Sequence, residues 1–159
     1  MSRRKGGSGR IARSAARLYA VQALFQMEAA GQSVDAVRRE FEDWRIGARL
    51  EDGTELAEGD IGLFRDLIET AVNHQAAIDQ ATDRALVERW PLGRIDPTLR
   101  ALFRAAGAEL VIGQTPPRVV INEFVDVAKA FYPEGREAGF VNAVLDHMAR
   151  EMRPEAFSD

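Results

Sequence analysis

Three arginines near the start of the chain are the residues whose types and spacing best suit a chemical task. Arg10, Arg13 and Arg17 recur at i, i+3 and i+7, so a helix places them on one face. Residues 1–27 contain no acid and carry a net charge of +6. A solvated helix face usually interleaves both signs of charge. The stripe therefore predicts an exposed contact for an anion such as an RNA backbone, with a purely solvated face as the alternative.

The rest of the chain has the opposite charge balance. The net charge of all 159 residues is −4, and residues 28–159 hold 15 of the 21 basic and all 25 acidic side chains. An acidic body with one basic end indicates a focused anion contact, because uniform charge would serve solubility alone. Lys5 and Lys129 are the only lysines. Planar guanidinium groups would therefore make most of the anion contacts.

Side chains that could support catalysis or bind a metal are scarce. The absence of cysteine excludes a disulfide framework, a thiolate zinc site and a cysteine nucleophile. His74 and His147 are far apart and have no partner at metal-ligand spacing, so they are expected on helix surfaces. The acid pairs at i, i+3 or i, i+4 are typical of solvated helices: Glu123 with Asp126, and Asp79 with Asp83. We expect no enzymatic activity, no cofactor and no metal.

Two aromatic residues and a second arginine pair have more than one interpretation. Phe25 and Phe140 are expected in the core, with stacking on an unpaired base as the alternative. Arg100 and Arg104 lie at i, i+4 on a predicted helix. They could face water, acids of a neighbouring helix or a protein partner, and the sequence physics leaves these three open.

The elements that must position these residues are predicted to be helices only. Residues 1–9 are polar and glycine-rich and are expected to form a flexible basic arm, residues 10–153 one helical domain, and residues 154–159 a tail. No segment alternates as a strand would, so the fold class is all-α, with six or seven helices. Helix caps are predicted at four positions, which are Ser33, Asp60, Asp96 before Pro97 and Thr115 before Pro116. A helix break is predicted near Asp79.

Apolar periodicity also assigns an inward face to these helices. Leu18 and Val21 belong to the buried face of the first helix, and Trp44 is expected inside the second. No apolar run approaches the roughly 20 residues that span a bilayer. The sequence therefore predicts a protein that does not cross a membrane. The absence of cysteine fits a reducing cytoplasm, where the protein is expected to act.

Several strings, taken together and in order, resemble the NusB transcription antitermination factors. The pairing of the INE…AK helix with the FVN.VLD helix is the most specific part of the match. The resemblance runs from about residue 10 to about residue 150 and rests on five strings: ARSAARLYAVQALFQ (12–26), LFRDLIE (63–69), LFRAAGAEL (102–110), VINEFVDVAKAF (120–131) and GFVNAVLD (139–146).

The resemblance implies two packed helical bundles that bind the boxA element of nascent ribosomal RNA transcripts. It also implies a partner, the small-subunit ribosomal protein that doubles as NusE, within an RNA polymerase antitermination complex. The residues it implies at the RNA are Arg10, Arg13, Arg17, Gln22, Phe25, Phe140 and Asn142, and those at the partner face are Leu99, Arg100 and Arg104.

Two positions depart from the family pattern. Phe25 stands where the family often has tyrosine, so it can stack on a base but has no hydroxyl to donate. Ala108 replaces a second usual tyrosine, and the turn 132–139 differs in length and composition from that of many members.

Two other functions remain open on the sequence. Some ribosomal RNA cytosine methyltransferases carry a NusB-like N-terminal domain, but that function needs a methyltransferase domain after residue 159. A structural helical adaptor without RNA contact would use its arginines to bind protein acids. Salt-sensitive RNA binding distinguishes the adaptor from the other two, and a methyl-transfer assay distinguishes those two from each other.

Overall fold

The computed structural model describes residues 2–46, 58–86 and 95–158, and it describes their side chains except those of residues 2–8 and 58–60. All regular elements in these ranges are helical, which confirms the all-α fold class. The α-helices are α1 (Ser2–Ala30), α2 (Val34–Phe41), α3 (Glu58–Asn73), α4 (Gln75–Leu86), α5 (Pro97–Ile112), α6 (Pro117–Phe131) and α7 (Arg136–Met152). A π-helical turn, Glu42–Ile46, follows α2, and a 3-10 turn, Pro154–Ala156, follows α7.

The first helix starts earlier than the sequence predicted and ends where it predicted. Helix α1 begins at Ser2, so the predicted boundary between a flexible arm and a helix near Arg10 was wrong. Gly31 follows its last turn in the left-handed region, with φ of 68°, and donates its N–H to the Met27 carbonyl at 2.8 Å. Glycine adopts this conformation at little cost, and this is why the helix ends there.

Two of the four predicted caps are confirmed. The prediction that Asp60 caps α3 was wrong, because that helix begins two residues earlier, at Glu58. The Ser33 hydroxyl accepts the N–H of Ala36 at 3.1 Å, and the Asp96 carboxylate accepts the N–H of Thr98 at 2.8 Å. Thr115 does not cap α6, because that helix begins one residue later than predicted, at Pro117. The predicted break near Asp79 lies instead at residue 74, between α3 and α4.

Helix α5 is the centre of the fold. Helices α1, α2 and α3 pack together on one side of it, and α4, α6 and α7 pack together on another, which gives the two bundles expected from the family resemblance. An unbroken run of α5 from residue 105 to 110 is buried, because neighbours surround this helix. The largest wholly buried side chains of the core are Phe41, Phe64, Phe103 and Phe124.

Helices α4 and α5 approach each other closely at a glycine. Gly107 of α5 lies against Ile78 of α4, and a Cβ at residue 107 would be 2.5 Å from Ile78 Cγ2.

Trp44, predicted to face inward, is 76% exposed on the π-helical turn, where the backbone no longer follows the α-helical period. Among the described helices, none combines the length and the apolar character needed to cross a bilayer.

Candidate nucleic-acid interface

Two of the three stripe arginines lie on the surface as predicted. Arg10 and Arg13 are exposed and line a polar cleft of about 400 Å³ between α1 and the turn that joins α5 to α6. The Arg13 side chain leans toward the helix N-terminus, and its Nη1 lies 3.6 Å from where a Cβ on Gly9 would be. Neither guanidinium forms an ion pair with a described residue. Both charges are therefore available to an anion.

Arg17 is buried, so the prediction that it shares the exposed face was wrong. It is 4% exposed, and its Nε and Nη2 donate to the two carboxylate oxygens of Glu109, each at 2.8 Å. Its Nη1 donates to Glu123 Oε1, also at 2.8 Å. On an isolated helix Arg17 would lie only about 20° around the axis from Arg10. In the folded chain α5 and α6 cover α1 at Arg17, so the tertiary fold decides that this side chain is buried.

The surroundings of Arg17 keep it charged. Burial acts to lower its pKa, but the hydrogen bonds and charges of Glu109 and Glu123 outweigh this and raise the pKa above its ordinary value. Glu109 also accepts a hydrogen bond from the Thr115 hydroxyl at 2.7 Å, which is the contact that Thr115 makes instead of capping α6. Two carboxylates face one guanidinium, so Arg17 contributes no net positive charge to the surface.

Glu109 and Glu123 are functional neighbours that the sequence analysis missed. Glu123 was interpreted as part of a solvated acid pair, yet its Oε1 accepts hydrogen bonds from both Arg17 and Ser14 at 2.8 Å. Glu109 is 1% exposed. The apolar run around it, AAGAELVI at 105–112, was the available sign, because an acid within a buried helix needs a cationic or hydrogen-bonding partner.

Phe25 and Gln22 lie together at a second, more apolar cleft of about 360 Å³. Phe25 is 39% exposed, so the prediction that favoured a core position was wrong and one part of its ring is accessible. Gln22 accepts a hydrogen bond from Arg45 Nη1 at 3.5 Å, and the Arg45 guanidinium carbon lies 4.8 Å from the centre of the Phe41 ring. Phe131 also lines this cleft. An accessible ring, an amide and a cation are therefore neighbours here.

The predicted residues of the FVN string lie on α7 and line neither cleft. Asn142 is exposed. Phe140 is half-buried and packs edge-on against Phe103, with ring centres 6.2 Å apart. The structure therefore does not bring these two residues into contact with the arginine cleft.

The predicted partner residues are largely occupied within the chain. Leu99 is buried at 7% exposure. Arg100 donates to both oxygens of Glu28 at 2.8 and 2.6 Å, and Arg104 donates to Glu28 at 3.0 Å and to both oxygens of Asp79 at 3.0 and 2.9 Å. Arg100 and Arg104 could have faced water, acids of a neighbouring helix or a protein partner. The structure shows that they face acids of neighbouring helices.

The described residues also offer little for a metal. They contain no group of three or more histidines and acids arranged to hold an ion. His74 and His147 are both exposed, as expected, but only His147 lies on a helix, because His74 is at the turn between α3 and α4.

Comparison with known proteins identifies the family. The model of the NusB family matches residues 14–150, which is most of the chain. The chain belongs to the NusB family. The transcription antitermination protein NusB of Caulobacter vibrioides is 48% identical over 142 residues, covering 89% of this chain and 94% of the relative. That of Maricaulis maris is 46% identical over 146 residues, covering 91% and 90%.

Solved NusB structures share the fold. Thermotoga maritima NusB superposes with a TM-score of 0.72 at 28% identity, covering 91% of this chain and 96% of that one. A chain from the crystal structure of antitermination factors NusB and NusE in complex with double-stranded RNA gives a TM-score of 0.71 at 23% identity, covering 88% and 97%. At that identity the second likeness concerns the fold alone.

Proposed function

We propose that this NusB-family chain is a non-enzymatic transcription antitermination factor that binds boxA-type RNA of nascent ribosomal RNA transcripts together with the NusE ribosomal protein. The names of its relatives and the existence of a NusB–NusE–RNA crystal structure support this function. The observation on this chain that carries it is the pair Arg10 and Arg13, exposed on an acid-free helix segment without ion pairs to described residues. Such a factor would act in the cytoplasm.

The three arginines of α1 have two different roles, because two of them contact RNA and the third holds the helix in place. Arg10 and Arg13 bind phosphates, because guanidinium groups make two-point hydrogen bonds to phosphate oxygens. Arg17, whose three guanidinium nitrogens each donate a hydrogen bond to one of two carboxylates, positions α1 against α5 and α6 and does not contact the RNA. The basic segment is thereby held in place before RNA arrives, which lowers the entropy cost of binding.

Base contacts would come from the second cleft and from α7. The accessible face of Phe25 suits stacking with an unpaired base, and the Gln22 amide beside it can hydrogen-bond to a base edge. Asn142, with an exposed amide, and the half-buried Phe140 supply a further contact along the RNA path. We propose no direct role for the turn 132–139.

The partner face would lie at the start of α5. The ion pairs of Arg100 and Arg104 with Glu28 and Asp79 fix α5 against α1 and α4 and form a charged, partly exposed surface. A NusE-type protein that binds here would contact the outer edges of these groups, with Leu99 supporting them from below. Arg100→Gln should then weaken association in calorimetry, because Glu28 loses its two-point partner.

The deciding experiment is a salt titration of boxA-like RNA binding with and without the NusE-type protein. We expect log affinity to fall linearly with log salt concentration, and affinity to rise when the partner is present. RNA binding that is absent, or that does not respond to salt, would contradict the proposal and favour a structural adaptor. Methyl transfer to ribosomal RNA by the purified chain would contradict the non-enzymatic part.

A further inference from the structure

The arginine cleft has a second wall whose chemistry differs from that of the arginines. Glu123 and Val119, one turn apart on the same face of α6, both line it. Val119 is 43% exposed, and the Glu123 side chain is 21% exposed. Cations on α1 therefore face an acceptor and an apolar surface on α6. The volume of about 400 Å³ lies within the range of pockets that bind small molecules.

Glu123 has acceptor capacity that its known contacts do not use. Both of its hydrogen bonds, from Arg17 and from Ser14, end on Oε1. Its Oε2 accepts no hydrogen bond from any described residue, although a carboxylate oxygen has two lone pairs. Two donors hold this carboxylate in place through Oε1, and Oε2 remains open. Oε2 can therefore accept a hydrogen bond from the N–H group of a ligand.

A carboxylate in an anion-binding cleft also excludes some ligands. It repels phosphate, so an RNA phosphate would lie toward Arg10 and Arg13 and away from Glu123. It also repels base carbonyl groups and attracts base amino groups, and such a repulsive element contributes to specificity. The cleft thus offers a place for a phosphate, an apolar contact for a base face, and an acceptor for a base edge.

From this arrangement we propose that the cleft binds one nucleotide of single-stranded RNA whose base carries an exocyclic amino group, with Glu123 Oε2 accepting a hydrogen bond from that amine. This inference rests on the proposed RNA-binding function and names a base preference within it. Carboxylates accept in this way from the N4 amine of cytosine. Uracil has a carbonyl oxygen at the same position, which the carboxylate disfavours.

The test compares labelled heptamers of cytidine and of uridine binding to the full 159-residue protein. The two RNAs have the same charge and ring size, so they differ at the base edge. We expect about tenfold tighter binding of the cytidine heptamer, the size of one hydrogen bond to a charged group. Glu123→Gln should abolish most of this preference, because a glutamine amide offers both a donor and an acceptor to the base.

Asp126→Asn is the matched control, since it removes one negative charge from the same helix at a side chain that does not line the cleft. It should leave the cytidine preference unchanged. Circular dichroism checks that Glu123→Gln folds. Val119→Phe tests the same cleft without changing the hydrogen bonds of Arg17. The larger side chain fills the cleft from an exposed position, so this variant should also reduce the cytidine preference.

The outcomes separate this inference from the function on which it rests. Equal binding of both heptamers, or a cytidine preference that survives both Glu123→Gln and Val119→Phe, would overturn the nucleotide site while RNA binding stands. If neither heptamer binds at low salt, the proposed function and the nucleotide site are overturned together.

Discussion

The guanidinium of Arg17 and the carboxylate of Glu109, 92 positions apart in the chain, form a two-point ion pair between α1 and α5 with both hydrogen bonds at 2.8 Å. The pair is almost wholly buried, and Thr115 and Glu123 complete its hydrogen bonding. Buried charges persist only when they are paired in this way, because leaving water costs each ion several kcal/mol. This pair fixes the end of the basic segment to the core.

Arg17→Met should therefore destabilise the fold strongly. Removing one partner of a buried pair leaves an uncompensated charge, and the expected loss is about 3–5 kcal/mol in the free energy of unfolding. The double variant Arg17→Met with Glu109→Met should recover much of that loss, because it removes both charges. Urea unfolding measures both variants. Arg13→Met, at an exposed position, is the control and should change stability by less than about 1 kcal/mol.

Replacing Arg10 and Arg13 together by alanine should weaken RNA binding without harming the fold. Each phosphate contact on a single strand contributes about −0.7 to the slope of log affinity against log salt, so the slope should become shallower by roughly 1.4. Phosphate contacts carry no sequence information, and the preference for boxA-like over scrambled RNA should persist. An unchanged slope in the folded variant would show that these arginines do not bind phosphate.

Phe25→Ala should affect RNA binding more than stability. The ring is 39% exposed, so its removal should cost well under the roughly 3–5 kcal/mol typical of a buried phenylalanine, whereas a lost base stack costs about 1–3 kcal/mol in affinity. Thermal unfolding and RNA titration on the same sample measure both. Phe41→Ala, at a fully buried position, should show the large stability loss. RNA affinity unchanged by Phe25→Ala would remove Phe25 from the site.

Glu28 should make stability depend on pH in the acid range. Hydrogen bonds from Arg100, then its charge and the contacts of Arg104, outweigh burial and hold the Glu28 pKa below its usual 4.5. A carboxyl whose pKa is lowered by folding stabilises the protein above its unfolded pKa, and this is lost as pH falls through the folded pKa. The stability difference between wild type and Glu28→Gln should thus be constant near neutral pH and shrink below about pH 4.5. A difference that stays constant to pH 3 would contradict the ion pair.

Gly107→Ala should destabilise the contact between α4 and α5. The added Cβ would lie 2.5 Å from Ile78 Cγ2, so the helices must move apart, at a cost of about 1–3 kcal/mol that exceeds the gain of up to about 1 kcal/mol in helix propensity. Gly62→Ala in α3 is the matched control, because nothing lies within 4 Å of its added Cβ. Chemical unfolding should show it equal to or more stable than wild type.

The sequence by itself determined the elements and the family. Apolar periodicity and the caps at Ser33 and Asp96 depend on neighbours two to four positions away, so local chemistry was enough to predict the helices. The resemblance of five ordered strings identified the NusB family, which the family match over residues 14–150 confirmed. The exposure of Arg10 and Arg13 also followed from local composition.

Only the tertiary structure decided which members of one helical stripe reach solvent. Arg13 and Arg17 are a single turn apart on α1, yet one is exposed and the other is buried, because α5 and α6 cover the helix only at the second position. The same packing places Glu109 and Glu123 beside Arg17 from about 100 positions away and leaves Phe25 at a cleft. Such contacts join segments distant in sequence, so helical period and charge could not reveal them.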